Sequence, residues 1–217
     1  MYCKDIMIDR KDVISVHDDL TLSKAIDRMD LYGMRALPVI NFGRYQGVIE
    51  RYDILERIHV SRNIDLDVAT VHDVMRDNIQ IVYASDFIEK AAVAFHNHRY
   101  QFLPVMMDDT ADQFLGIIPA GRILDILATS LGFDKPVHRL TLEILDYKGE
   151  LAKLTRGLMQ SGASISSFVT VLHRESKDET QDSRIRLVIK FDGDLEAVLN
   201  QCRAQGIRVT HIDRYEG

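Results

Sequence analysis

The sequence predicts an α/β chain of the α+β kind. Two βαββα units are expected over residues 1–66 and 67–132, followed by a βαββαβ unit over 137–217. Three observations carry this expectation. Residues 12–40 align without a gap on residues 78–106, which marks an internal repeat. The apolar pattern changes after Gly132 and Pro136, residues that punctuate a linker. Finally, 217 residues with 46% hydrophobic and 28% charged side chains suit a globular protein of two or three small units.

The repeat sets Val13 against Ile79, Val16 against Val82, and Ala25 against Ala91 at an offset of 66. Leu37-Pro38-Val39 meets Leu103-Pro104-Val105 at the same offset. Upstream, CKDIM (3–7) meets VHDVM (71–75) at 68, and downstream Gly47 meets Gly116 at 69. The offset therefore changes only in the expected turns.

Each copy opens on a short apolar run, VISV (13–16) or IQIV (79–82), which predicts a strand. A helix follows, with Leu22, Ala25, Ile26 and Met29 on one face in the first copy and Ile88, Ala91, Ala92 and Phe95 in the second. Asp86, three residues ahead of Glu89, suggests a capping box. Two strands come next, LPVIN and YQGVIE in the first copy, LPVMM and FLGIIP in the second. Each copy then closes on a helix, DILERI (53–58) or RILDILATSL (122–131). A single such unit leaves one sheet face open to water, and two packed together bury it.

The third unit threads as strand HRLTLEIL (138–145), a turn, a helix, strand SISSFVTVLH (164–173), a polar loop, strand RIRLVIKF (184–191), a helix over 194–206 and strand IRVTHI (207–212). Leu151, Leu154, Leu158 and Met159 are expected on one face of its first helix, with Gly162 as the stop. This βαββαβ order is ferredoxin-like.

Charge and composition exclude several classes. Residues 137–217 hold 12 basic and 12 acidic side chains, so the whole net charge of −6 lies in residues 1–136. An acidic N-terminal part argues against nonspecific nucleic-acid binding. No apolar run reaches the roughly 18–20 residues of a membrane span, and the start MYCKDIMIDRKD is too charged for a secretory signal. Cys3 and Cys202 lack motif spacing, so neither a disulfide framework nor a zinc site is expected and a reducing cytoplasm fits. His96 and His98, two apart, do not share a helical face. No nucleophile elbow, phosphate loop, dinucleotide fingerprint or CxxC string occurs, and no catalytic or metal site is expected.

The order of elements, with an LPV strand and a glycine opening the next strand, resembles the CBS domain. The pair resembles a Bateman module, over residues 1–132. In the third unit, Asp146-x-x-Gly149-x-Leu151 ahead of an apolar helix and GASI looks like the ACT domain. Two CBS-like units followed by an ACT-like one resemble the AcuB-like acetoin-utilization regulatory proteins, across essentially the full chain.

These resemblances imply where ligands would sit. A carboxylate can accept hydrogen bonds from both ribose hydroxyls, and N–H groups at a helix start suit phosphate. In CBS domains those jobs fall to an Asp opening the last helix and to the residues just before it. GVIERYDIL keeps Asp53 there, but Glu50 stands where the family has Thr or Ser, with Arg51 beside it able to offset the charge. Apolar walls for an adenine would come from around Ile14 and Ala36. Asp53 also suits a helix N-terminus on electrostatic grounds alone.

GIIPAGRIL places Pro119 and Arg122 at the corresponding positions of the second copy. A guanidinium has donors only, so Arg122 cannot accept a ribose hydroxyl, although it can pair with a phosphate or a partner's carboxylate. At most one ordinary ribose-holding site is expected. By its resemblance, the third unit would hold a small ligand, often an amino acid, near Asp146, Lys148, Gly149, Glu150 and Leu151.

Taken together, the resemblances imply a non-catalytic homodimer that senses AMP, ADP, ATP or S-adenosylmethionine and acts on a regulated enzyme or other protein. The alternative is a constitutive homodimeric scaffold with degenerate nucleotide sites.

Overall fold

The structure is a computed structural model that describes residues 1–61, 64–98, 100–108, 113–133, 136–171 and 184–214. The chain divides into two compact units, Met1–Leu124 and Asp125–Gly217.

In the first unit, β1 (Ile8–Asp9) precedes α1 (Leu22–Leu31), which buries Leu22, Ala25 and Met29 at helical spacing. β2 (Ala36–Asn41) and β3 (Arg44–Glu50) form an antiparallel hairpin. Its turn places Phe42 and Gly43 at φ of 48° and 77°, the positive-φ pair that matches the twist of the flanking strands. α2 (Arg51–Val60) follows directly. The second copy repeats the plan with β4 (Val82–Tyr83), α3 (Ile88–Asn97), β5 (Phe102–Met106), β6 (Phe114–Pro119) and α4 (Ala120–Ser130).

The segment leading into each copy joins the hairpin of the other. β1 pairs antiparallel with β6, setting Ile8 opposite Ile117 and Asp9 opposite Gly116. Reciprocally, Arg76 bridges Val48, with both N–H···O=C distances at 2.8 Å. The two glycines of the repeat exist for these crossings. A Cβ on Gly116 would lie 2.0 Å from the Ile8 carbonyl oxygen, and one on Gly47 would lie 2.3 Å from that of Arg76. One core gathers Ala36 and Val48 of the first copy with Phe102, Phe114 and Ile117 of the second, so each copy covers the other's open face. A separate core under the first copy also takes in Val71, from the lead-in of the second.

Three local expectations are corrected. Of IQIV only Val82 lies in a strand, β4. VISV is not a strand: only Val16 makes a bridge, to Val39. The run is apolar because it threads between two cores, with Val13 against one and Ile14 against the other. Asp86 does not cap α3, whose N-cap is Phe87. Its carboxylate instead accepts the Tyr83 N–H at 2.8 Å and pairs with Lys90 at 2.8 Å.

The second unit contains β7 (His138–Leu145), α5 (Glu150–Gln160), β8 (Ser164–Val171), β9 (Arg184–Asp192), α6 (Leu195–Ala204) and β10 (Arg208–Asp213). Its antiparallel sheet has the order β10-β7-β9-β8, the ferredoxin-like arrangement. Alternate residues Leu140, Leu142, Leu187, Ile189 and Phe191 face the helices and pack on Leu154, Leu158, Val198 and Leu199. The Asp194 carboxylate caps α6 by accepting the Glu196 and Ala197 N–H groups. The polar loop expected at 174–183 lies outside the described residues.

The buried stripe of α5 is narrower than expected. Leu154, Gly157 and Leu158 form it, whereas Leu151 and Met159 are 43% and 74% exposed. At 100° per residue, Met159 turns away from the sheet that Leu158 meets.

Candidate functional site

A cluster of three charged side chains stands where β3 runs into α2. Glu50 ends the strand and Asp53 lies in the first turn of the helix. Arg76, from the lead-in of the second copy, reaches both. Its Nε lies 2.9 Å from Asp53 Oδ2 and its Nη2 2.8 Å from Glu50 Oε1. One guanidinium thus bridges two carboxylates with the forked geometry that suits it. The cation is the most exposed member, at 40% against 18% for Glu50 and 12% for Asp53.

Burial pushes the Glu50 carboxyl above its ordinary range and Asp53 adds to the rise, while Arg76 opposes both. Tyr45 lies on β3, with its ring stacked on Phe114 at 5.7 Å. Its hydroxyl is buried without a hydrogen-bond partner among the described residues. Burial raises the Tyr45 phenol well above the usual range, and Arg76 again opposes the shift.

The remaining sequence-derived residues do not all converge here. Arg51 does not offset Glu50, because its guanidinium is engaged with Asp30 on α1. Ile14 packs against the core under the first copy, and Ala36 belongs to the core shared by the copies. Ala36 also borders a cleft of 270 Å³ between Gly33–Ala36 on one copy and Gln101, Phe102, Ile117 and Pro119 on the other. Arg122 is exposed in the first turn of α4.

Arg76 was not anticipated from the residues alone. Its only signal is the repeat itself, since CKDIM and VHDVM are followed by Ile8 and Arg76 at equivalent places.

In the second unit, Asp146 and Lys148 are exposed, and Glu150 pairs with Lys153 one turn along the helix. Gly149 is the N-cap of α5 at φ 99°. A Cβ there would meet nothing within 4 Å, so the glycine supplies a left-handed conformation rather than room for a close approach.

Among the described residues no helix is long and apolar enough to cross a membrane. The CBS-domain family model matches residues 3–60 and again 71–129, together more than half of the chain. The chain belongs to the CBS-domain family. It carries the domain as a tandem pair, the two matches falling on the two copies of the repeat.

Solved structures agree on the pair. A CBS domain-containing protein of unknown function from Bacillus anthracis is 27% identical with a TM-score of 0.52, over 58% of this chain and 92% of that one. CBSX2 in complex with AMP is 22% identical with a TM-score of 0.51, over 62% and 98%. CbpB in complex with c-di-AMP is 22% identical with a TM-score of 0.51, over 58% and 84%. The latter two resemble this chain in fold.

Proposed function

We propose that this CBS-pair protein is a non-catalytic regulator that senses an adenine nucleotide at the start of α2, with AMP, ADP, ATP and S-adenosylmethionine as the candidates. The observation that carries the proposal is Asp53. It is a largely buried carboxylate in the first turn of the helix that follows the strand of the first copy, and its Oδ2 accepts from the side chain of Arg76. The ligand class draws support from the AMP and c-di-AMP held by two proteins of this fold.

In the same reading, the two CBS domains span 1–66 and 67–132, and 137–217 is an ACT-like domain that takes a small ligand near Asp146, Lys148, Gly149, Glu150 and Leu151. The whole is an AcuB-like cytoplasmic homodimer that acts on another protein. Leu55 of α2 and Leu124 of α4, equivalent in the repeat, are 58% and 68% exposed and offer apolar surface to a second copy.

A second reading, a constitutive homodimeric scaffold, is favoured by Pro119 and Arg122, which offer the second copy neither hydroxyl nor carboxylate. Thermal unfolding separates the two. A ligand that binds only the folded state stabilises it by about 2.7 kcal/mol at one hundred times its Kd. Sensing predicts a higher melting temperature with millimolar AMP, ATP or S-adenosylmethionine, and no shift in Asp53→Asn. Unchanged melting with all three ligands in a stable dimer favours the scaffold.

A further inference from the structure

We infer that Arg76 is a built-in occupant of the first CBS site, so that the site selects ligands carrying their own anion and rejects the corresponding nucleosides. The inference rests on the proposed nucleotide site at Asp53 and adds the rule by which that site chooses.

The fold does not require an arginine at this position. Residue 76 crosses over Gly47 through its backbone, with its N–H and C=O paired to Val48. In the other copy Ile8 makes the equivalent crossing over Gly116 with an aliphatic side chain. Isoleucine therefore suffices for the exchange, and among the described residues the guanidinium pairs with the two carboxylates.

Of those carboxylates, Asp53 is the one that would hold a ribose. Arg76 already donates to Asp53 Oδ2 and to Glu50 Oε1, and it is the solvent-side member of the three. A diol that takes both oxygens of Asp53 must therefore displace the guanidinium from Oδ2. For a neutral nucleoside the exchange is unfavourable: the charge-assisted hydrogen bond from Arg76 to Asp53 is lost, and the freed cation gains no new anion in return. A phosphorylated nucleoside brings an anion for the displaced guanidinium, which recovers a forked pairing. Displacement also releases a side chain of the second copy from the helix of the first, so occupancy is read at the junction between the copies.

The rival explanation is that Arg76 merely balances Glu50 and has no say in ligand choice. Titration calorimetry with AMP and with adenosine distinguishes them, using wild type, Arg76→Ile and Glu50→Gln/Arg76→Ile. The double variant leaves no extra carboxylate uncompensated and carries the test if the single variant is unstable. The expected result is that wild type binds AMP in preference to adenosine. In the variants that preference falls by about tenfold or more, the factor for losing a charge-assisted hydrogen bond, and adenosine itself binds more tightly. If AMP binds wild type through Asp53 but the AMP-to-adenosine ratio is the same in the double variant, Arg76 does not select and the inference is overturned while the nucleotide site stands. Absence of binding of either compound to every protein overturns both.

Discussion

Arg76 and Asp53 lie 23 residues apart in the chain and belong to different copies of the repeat, yet their side chains meet at 2.9 Å. The backbone crossing of residue 76 over Gly47 makes the meeting possible, since it delivers the arginine to the end of β3, where α2 begins.

Replacing Arg76 by Met should lower stability. The substitution keeps the backbone pairing but leaves Glu50 and Asp53 facing each other without a cation. Removing one partner of a partly buried charged pair costs about 1–3 kcal/mol, and the 40% exposure of Arg76 places this case near the lower end. Urea unfolding should show a lower midpoint with an unchanged slope.

Glu50→Gln should change how stability depends on pH. The Glu50 carboxyl is held above its ordinary range, chiefly by burial. The folded state therefore takes up its proton more readily than the unfolded chain. That contribution is fully present below the ordinary carboxylate range and is lost as pH rises through the raised value. Glutamine does not titrate. The variant should melt higher than wild type at pH 7, and the gap should close as pH is lowered through the carboxylate range. A gap that is constant from pH 4 to 8 contradicts the assignment.

Alanine at either crossing glycine should be costly. Gly47→Ala and Gly116→Ala force a methyl to within 2.3 Å and 2.0 Å of a backbone oxygen that is held in a strand pairing. Overpacking of this kind costs about 1–3 kcal/mol or more. Gly121→Ala is the control. It lies in α4 with nothing within 4 Å of a new Cβ, and should stabilise by about 0.5–1 kcal/mol. Thermal melts of the three variants test the whole exchange.

Two leucines of α5 should behave oppositely. Leu158→Ala empties a site that is 1% exposed and should cost about 2–5 kcal/mol. Leu151→Ala, at a position 43% exposed, should stay within about 0.5 kcal/mol of wild type. Equal losses at the two sites would return Leu151 to the core stripe.

Most of the element order was legible because it rests on local pattern. β6 (Phe114–Pro119) and β7 (His138–Leu145) match their predicted spans residue for residue, as bounded apolar or alternating runs should. VISV failed because apolar composition reports burial, and burial between two cores does not require a ladder. Asp86 failed because its carboxylate had a competing donor, the Tyr83 N–H, three residues back. At the candidate site, Asp53 and Glu50 were readable from the strand-to-helix junction, but the partner of each was not. Arg51 was adjacent in sequence and is spent on Asp30, while Arg76 was distant and is present.

By itself the sequence determined that the chain builds one unit twice and then changes plan, because repeats and periodicities are properties of neighbouring residues. Only the tertiary structure decided that each lead-in serves the other copy. The same crossing set an isoleucine at one junction and an arginine at the other. Which carboxylate finds which cation depends on long-range strand exchange, and chain separation carries no record of that distance.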